Sequence, residues 1–108
     1  MCRSVKDLED DLVYVKVVRY GREILVAACD ADLLGKTLRE GDLEVCIEER
    51  FFKGSLVTID KALSIIETAT IANLFGDKIV SGARARGLVH ADAIITISGV
   101  PHAQFIEL

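Results

Sequence analysis

The stretch "LVYVKVVRYGREILVAACD", residues 12 to 30, constrains the fold more than any other part of the chain. Val13, Val15 and Val17 alternate with Tyr14 and Lys16, the period-two signature of a strand with one buried face. Tyr20-Gly21 breaks the run, and Ile24 to Cys29 is apolar on both faces. Two strands (12–19 and 23–29) joined by a short Gly-containing link read as a hairpin whose second member lies inside a sheet.

Asp30 and Asp32 stand where they can cap a short helical turn over Leu33 and Leu34, closed by Gly35. A third strand is expected over 43–49, with Leu43, Val45 and Ile47 facing in and Glu44 and Glu48 facing out. Gly54 marks a loop. The strongest helical signal covers 59–75, where Leu63, Ile66, Thr70, Asn73 and Leu74 recur at helical spacing and Gly76 sits at the C-cap position. Asp77 can cap a second helix, 77–86, that stops at Gly87. Residues 93–98 read as a fourth strand, and 105–108 suffice for a short fifth. This order predicts an α+β fold: a small, largely antiparallel sheet with both helices on one face. It forms one domain, 12–108, behind a charged lead-in, 1–11.

Composition narrows the function classes. With 51% apolar residues and no Trp, the core must be built from Val, Ile, Leu and Ala. No apolar run approaches the ~18 residues of a spanning helix. Asp7, Glu9, Asp10 and Asp11 occupy the place of a signal peptide's apolar stretch, so a cytoplasmic protein without a membrane partner is expected. Cys2, Cys29 and Cys46 are odd in number and lack a C-x-x-C pair, as reduced thiols would be. A Cys29–Cys46 bond requires their strands to be neighbours. The net charge of −4 gives no basic field over the domain. Contact with nucleic acid therefore needs a local patch.

Several motifs fail on inspection. Gly35-Lys36-Thr37 follows a strand as a phosphate-binding loop does, but the preceding glycine is replaced by Asp30, whose carboxylate repels phosphate. Ser98-Gly99 lacks the earlier glycine of a nucleophile elbow, because position 96 is Thr. His90 and His102 have no ligand partners at zinc spacings. No cofactor is expected.

Three features survive. Asn73 lies on the apolar stripe of the expected helix, and a buried amide without partners costs about 1–3 kcal/mol. A structural bond to a loop would satisfy it as well as a ligand. In "SGVPHAQF", Pro101 favours extended geometry, which places His102 and Gln104 on one face and Ala103 and Phe105 on the other. Beside Asn73 these make a neutral polar cluster, which can lock a chain terminus or bind a ligand. Finally, Lys36 and Arg39 precede the Gly41 turn, while Arg50, Phe51, Phe52 and Lys53 interleave bases with aromatics. Cations flanking an exposed ring suit single-stranded nucleic acid. The plain alternative is that both rings are core and the charges only solvate loops. Lys78, Arg84 and Arg86 form another cationic strip on the second helix.

Taken together, "LVAACDADLLGKTLREGDLEV", "ATIANLFG" and "GVPHAQF" resemble a small archaeal family known as domain of unknown function 424. The resemblance covers nearly the whole chain after the lead-in. Its blocks fall on Cys29, Asp30, Leu34, Gly35, Lys36, Thr37, Arg39 and Gly41, then on Ala69, Asn73, Leu74 and Gly76. The last falls on Gly99, Pro101, His102, Ala103 and Gln104. The resemblance implies a single α+β domain with no catalytic role to transfer, and a general leaning toward RNA binding in translation.

The leading expectation is thus a non-enzymatic RNA-binding or ribonucleoprotein-associated domain. Lys36, Arg39, Arg50 and Lys53 would contact phosphates, Phe52 or Phe51 would stack, and Asn73, His102 and Gln104 would order the surface or read a base edge. Alternatives are a protein–protein adaptor, marked by an exposed apolar patch, and a small-molecule enzyme using His102 as general acid or base. The last requires a concave pocket around His102.

Overall fold

Alternating side chains build the expected hairpin: β1 (Leu12–Tyr20) pairs antiparallel with β2 (Glu23–Asp30), in register from Val13 opposite Asp30 to Tyr20 opposite Glu23. The computed structural model describes residues 12–107. The charged lead-in, 1–11, lies outside them. After β2 come β3 (Thr37–Glu40), β4 (Leu43–Cys46), α1 (Glu49–Phe52), β5 (Ser55–Thr58) and α2 (Ile59–Ile66). Then follow β6 (Ile71–Phe75), α3 (Asp77–Ala85), β7 (Ile95–Ile97) and β8 (Val100–Ile106). Six strands form one sheet in the order β5-β1-β2-β6-β8-β7, and β3 with β4 forms a separate two-stranded ribbon. The β2–β6 pair is parallel and every other pair antiparallel.

Register sorts the side chains into two layers. Val13, Val15, Val26, Ala28, Ala72, Leu74 and Ala103 face the helices, where Leu63 and Ile66 of α2 and Ile79 and Val80 of α3 cover them. On the opposite face Cys29 and Phe75 meet Leu38, Ile47, Phe52 and Ile97. The ribbon and α1 are therefore a partial roof over the face that the helices leave bare.

The expected helix over 59–75 is two elements. It ends at Ile66, where Thr68 turns its hydroxyl onto the Ile65 carbonyl. The chain then returns as β6, parallel to β2. Thr70, placed on a helical stripe by spacing, instead knits the start of β6 to β2: its N–H donates to the Ile24 carbonyl and its hydroxyl accepts from the Ile24 N–H. β6 lies between two strands, and four of its five residues are apolar, on both faces, so it carries little period-two contrast to separate it from a helix. The third strand stops at Cys46 rather than 49, because Ile47 leaves the ribbon to plug the second core. Two strands, β3 and β5, lie where none was expected. The fourth strand is only Ile95–Ile97, and the last begins at Val100, before its proline.

Capping differs from expectation in an informative way. Asp30 leaves the short turn at Ala31–Leu33 without a side-chain cap. Its carboxylate reaches across to the start of α3, accepting from the Lys78 N–H at 2.9 Å and the Ile79 N–H at 3.0 Å. Asp77, the expected cap, is the first helical residue. The N-cap is Gly76 at φ +121°, where an added Cβ would lie 2.3 Å from the Asp30 carboxyl carbon. Only glycine fits there.

Candidate functional site

The bare sheet face and its partial roof enclose a cleft of about 390 Å³. Its floor is the outer row of each inner strand: Lys16 and Val18 of β1, Leu25 and Ala27 of β2, Ile71 and Asn73 of β6, and His102 of β8. Phe51 and Phe52 of α1 form one wall, with Val45 and Ile97 beside them. The lining is mostly apolar, at the small end of ligand-sized cavities.

Asn73, expected on a helix, lies on β6, and the β6–β8 register sets it beside His102 and Gln104 of β8. Asn73 stands directly opposite Gln104, and Phe75 opposite His102, all on the roofed face. His102 does not bond Asn73. Its Nδ1 lies 2.9 Å from the Leu74 carbonyl, and its ring stacks on Phe75 with centroids 4.0 Å apart. A carbonyl only accepts, so Nδ1 carries the proton and a neutral ring leaves its lone pair on Nε2. No buried side-chain polar atom among the described residues lacks a partner. Asn73 makes no side-chain bond to His102 or Gln104, and its half-buried side chain lines the cleft.

The candidate RNA-binding residues separate. Phe52 is 6% exposed and packs edge-on against Phe75, so it is core. Its neighbour Phe51 is 55% exposed, with the Arg50 guanidinium 4.7 Å from its ring centre. Arg50 also pairs with Glu48, and Lys53 follows as the C-cap of α1. Lys36 sits at the base of the ribbon, where its carbonyl accepts from the Ile47 N–H. Arg39 lies nearer the ribbon's turn and faces Glu44 across it at 3.4 Å. That turn abuts the far end of the sheet, where Glu40 accepts from the Ser98 N–H. Arg86 of the helical strip is tied to Asp60 and Glu67.

Lys16 is the lining residue that spacing alone missed. Its outward direction is legible in the alternation around it, but only the fold brings α1 over it, where its ammonium donates to the Arg50 carbonyl. Among the described residues, none that lines the cleft is a carboxylate, hydroxyl or thiol. Cys29 lies beneath the roof with its thiol pushed up to about 12 by burial, aided by Asp30 and Asp32, which makes it inert. Cys29 and Cys46 are both free, and their strands are not neighbours. No group of acidic, histidine or cysteine side chains among the described residues could hold a metal ion. No described helix is long and apolar enough to cross a membrane.

Fold and cleft define a small α+β domain with helices on one sheet face and a roofed cleft on the other. The chain belongs to the family described as a protein of unknown function, DUF424, whose sequence model matches residues 18–108. A similar solved structure is that of an uncharacterized conserved protein from Methanopyrus kandleri, 29% identical, with a TM-score of 0.76. The match covers 87% of this chain and 90% of that one. No curated protein matches.

Proposed function

We propose that the domain binds single-stranded RNA without catalysing a reaction, and that the cleft takes one unstacked base. The rim carries this reading: an exposed Phe51 ring under the Arg50 guanidinium, beside a cleft whose polar groups are Asn73, His102 and Lys16. Stacking on an aromatic contributes about 1–3 kcal/mol per base and tolerates any sequence. Arg50, Lys53 and Lys16 then meet the flanking phosphates. The exposed Arg50–Glu48 pair is worth about 0–1 kcal/mol, so a phosphate competes with it readily. Of the sequence expectation, which allowed either ring and cations from both loops, this reading keeps Phe51, Arg50 and Lys53, leaves out Phe52, Lys36 and Arg39, and adds Lys16.

Titration of a fluorescent single-stranded RNA into the wild type, Phe51→Ala and Arg39→Ala tests this. Phe51→Ala should weaken binding roughly five- to 150-fold, and Arg39→Ala should change it little. A wild type that fails to bind, or a Phe51→Ala variant that binds equally well, defeats the proposal.

One observation favours an adaptor as the second reading. Val18, Leu25, Ile71 and Ile106 stand side by side across four strands of the open face, with Val18 47% and Ile106 59% exposed. Contiguous apolar surface of this kind marks protein interfaces. Proteins retained from a cell extract by the wild type and lost by Ile106→Lys, with no RNA bound by either, would favour it.

A further inference from the structure

Resting on the RNA reading, we infer that the cleft selects a base by its exocyclic amino group, preferring cytosine and adenine to uracil. Among the described residues, three polar side chains line the cleft: Asn73, His102 and Lys16. The Leu74 carbonyl holds His102 as the Nδ1–H tautomer, so the remaining edge of the neutral ring offers an acceptor, Nε2. Asn73 opposes Gln104 and His102 opposes Phe75, which makes Asn73 and His102 diagonal neighbours on adjacent strands. Such neighbours are about 7–8 Å apart at the backbone, within reach of one bridging group.

An amino group fits between them. One N–H donates to His102 Nε2 and the other to Asn73 Oδ1, while Asn73 Nδ2 donates to the adjacent ring nitrogen. Cytosine presents this pattern at N4 and N3, and adenine at N6 with N1 or N7. Uracil places a carbonyl oxygen where the amino group would be; the Asn73 amide can turn to meet that edge, but the oxygen sets acceptor against acceptor at His102 Nε2 and leaves that nitrogen unsatisfied. Guanine carries its amino group beside the sugar-flanked N3, an edge the ribose crowds, so it ranks with uracil. Lys16 does not discriminate. It sits two strands from Asn73, already donates to the Arg50 carbonyl, and serves the backbone.

Oligocytidine and oligouridine of equal length give the cleanest test, because the rings differ chiefly in amino against carbonyl. Affinities are measured at neutral pH and one salt concentration for the wild type, Asn73→Ala and His102→Phe. The last keeps a ring against Phe75 while deleting Nε2. The wild type should prefer oligocytidine by roughly five- to 150-fold; His102→Phe should bring the two affinities toward equality, and Asn73→Ala should weaken both. Thermal unfolding of each variant separates lost recognition from lost structure. Equal wild-type binding of both oligomers, weakened in both by Phe51→Ala, would overturn the selectivity and leave the RNA reading standing. A preference for oligouridine would overturn it too. Failure to bind either removes the RNA reading and this inference with it.

Discussion

Asp30 is the one buried charged residue among those described, and it joins the parallel β2–β6 pair to the helix that follows. Burial pushes its carboxyl above the usual carboxylate range. The Lys78 and Ile79 N–H groups pull the other way, Asp32 adds to the rise, and the Lys78 charge opposes it. Asp30→Ala leaves two helix N–H groups without acceptors and should cost about 1–3 kcal/mol in urea unfolding. The pH dependence has a definite sign. A carboxyl raised in the fold holds its proton there more tightly than in the unfolded chain. Its contribution is complete below the ordinary carboxyl value of 3.8 and is lost as pH rises through the higher folded value. The stability advantage of the wild type over Asp30→Asn should therefore shrink from acid toward neutral pH; a constant or growing gap in paired urea titrations contradicts this. Gly76→Ala, forced against the same carboxylate, should be destabilising at every pH.

At the scale of elements, Phe75 links the layers, lying edge-on to Phe52 of α1 and flat against His102 of β8. Phe75→Ala should cost about 3–5 kcal/mol, the usual range for a buried ring. It should also loosen the roof, so protease should cut near α1 before it cuts the helical layer. Thr58 caps α2 through the Lys61 N–H at 3.2 Å. Thr58→Ala should lose about 1 kcal/mol and Thr58→Asp should recover most of it, both read by urea midpoint. The same elements mark what could be read from the chain. The β1–β2 hairpin was legible because buried Val13 and Val15 alternate with half-buried Tyr14 and Lys16, leaving the alternation visible. β6 was not: its apolar residues suit a doubly covered strand and a buried helix alike, and only β-branched Thr70 and Ile71 hinted at extension. The pairing of His102 with Gln104 was legible because a two-residue spacing fixes a shared face. Their meeting with Asn73 depends on the β6–β8 register, which no local pattern encodes. Ser98-Gly99, suggestive of a nucleophile, is a tight hairpin turn with φ of +51° and +80°.

For the molecule as a whole, charge sets the form that the proposed RNA binding would take. With 17 acidic and 13 basic residues, the chain has no field to hold a long polyanion. On the proposed reading, affinity would come largely from stacking and base contacts in the cleft, with few phosphates neutralised. Single-stranded binding falls with salt at a log–log slope of about −0.7 per phosphate contacted. Contact through Lys16, Arg50 and Lys53 alone gives a slope of about −2, while recruitment of Lys36 and Arg39 as well gives about −3.5. The expected slope is the shallower one, because Arg39 lies toward the far end of the ribbon and faces Glu44. Affinity measured across a salt series distinguishes the two footprints. A slope near −2 that Arg39→Ala leaves unchanged places the strand across α1 and the cleft. A steeper slope that Arg39→Ala relaxes by about 0.7 moves the strand onto the ribbon, and the cleft would then no longer be its principal seat.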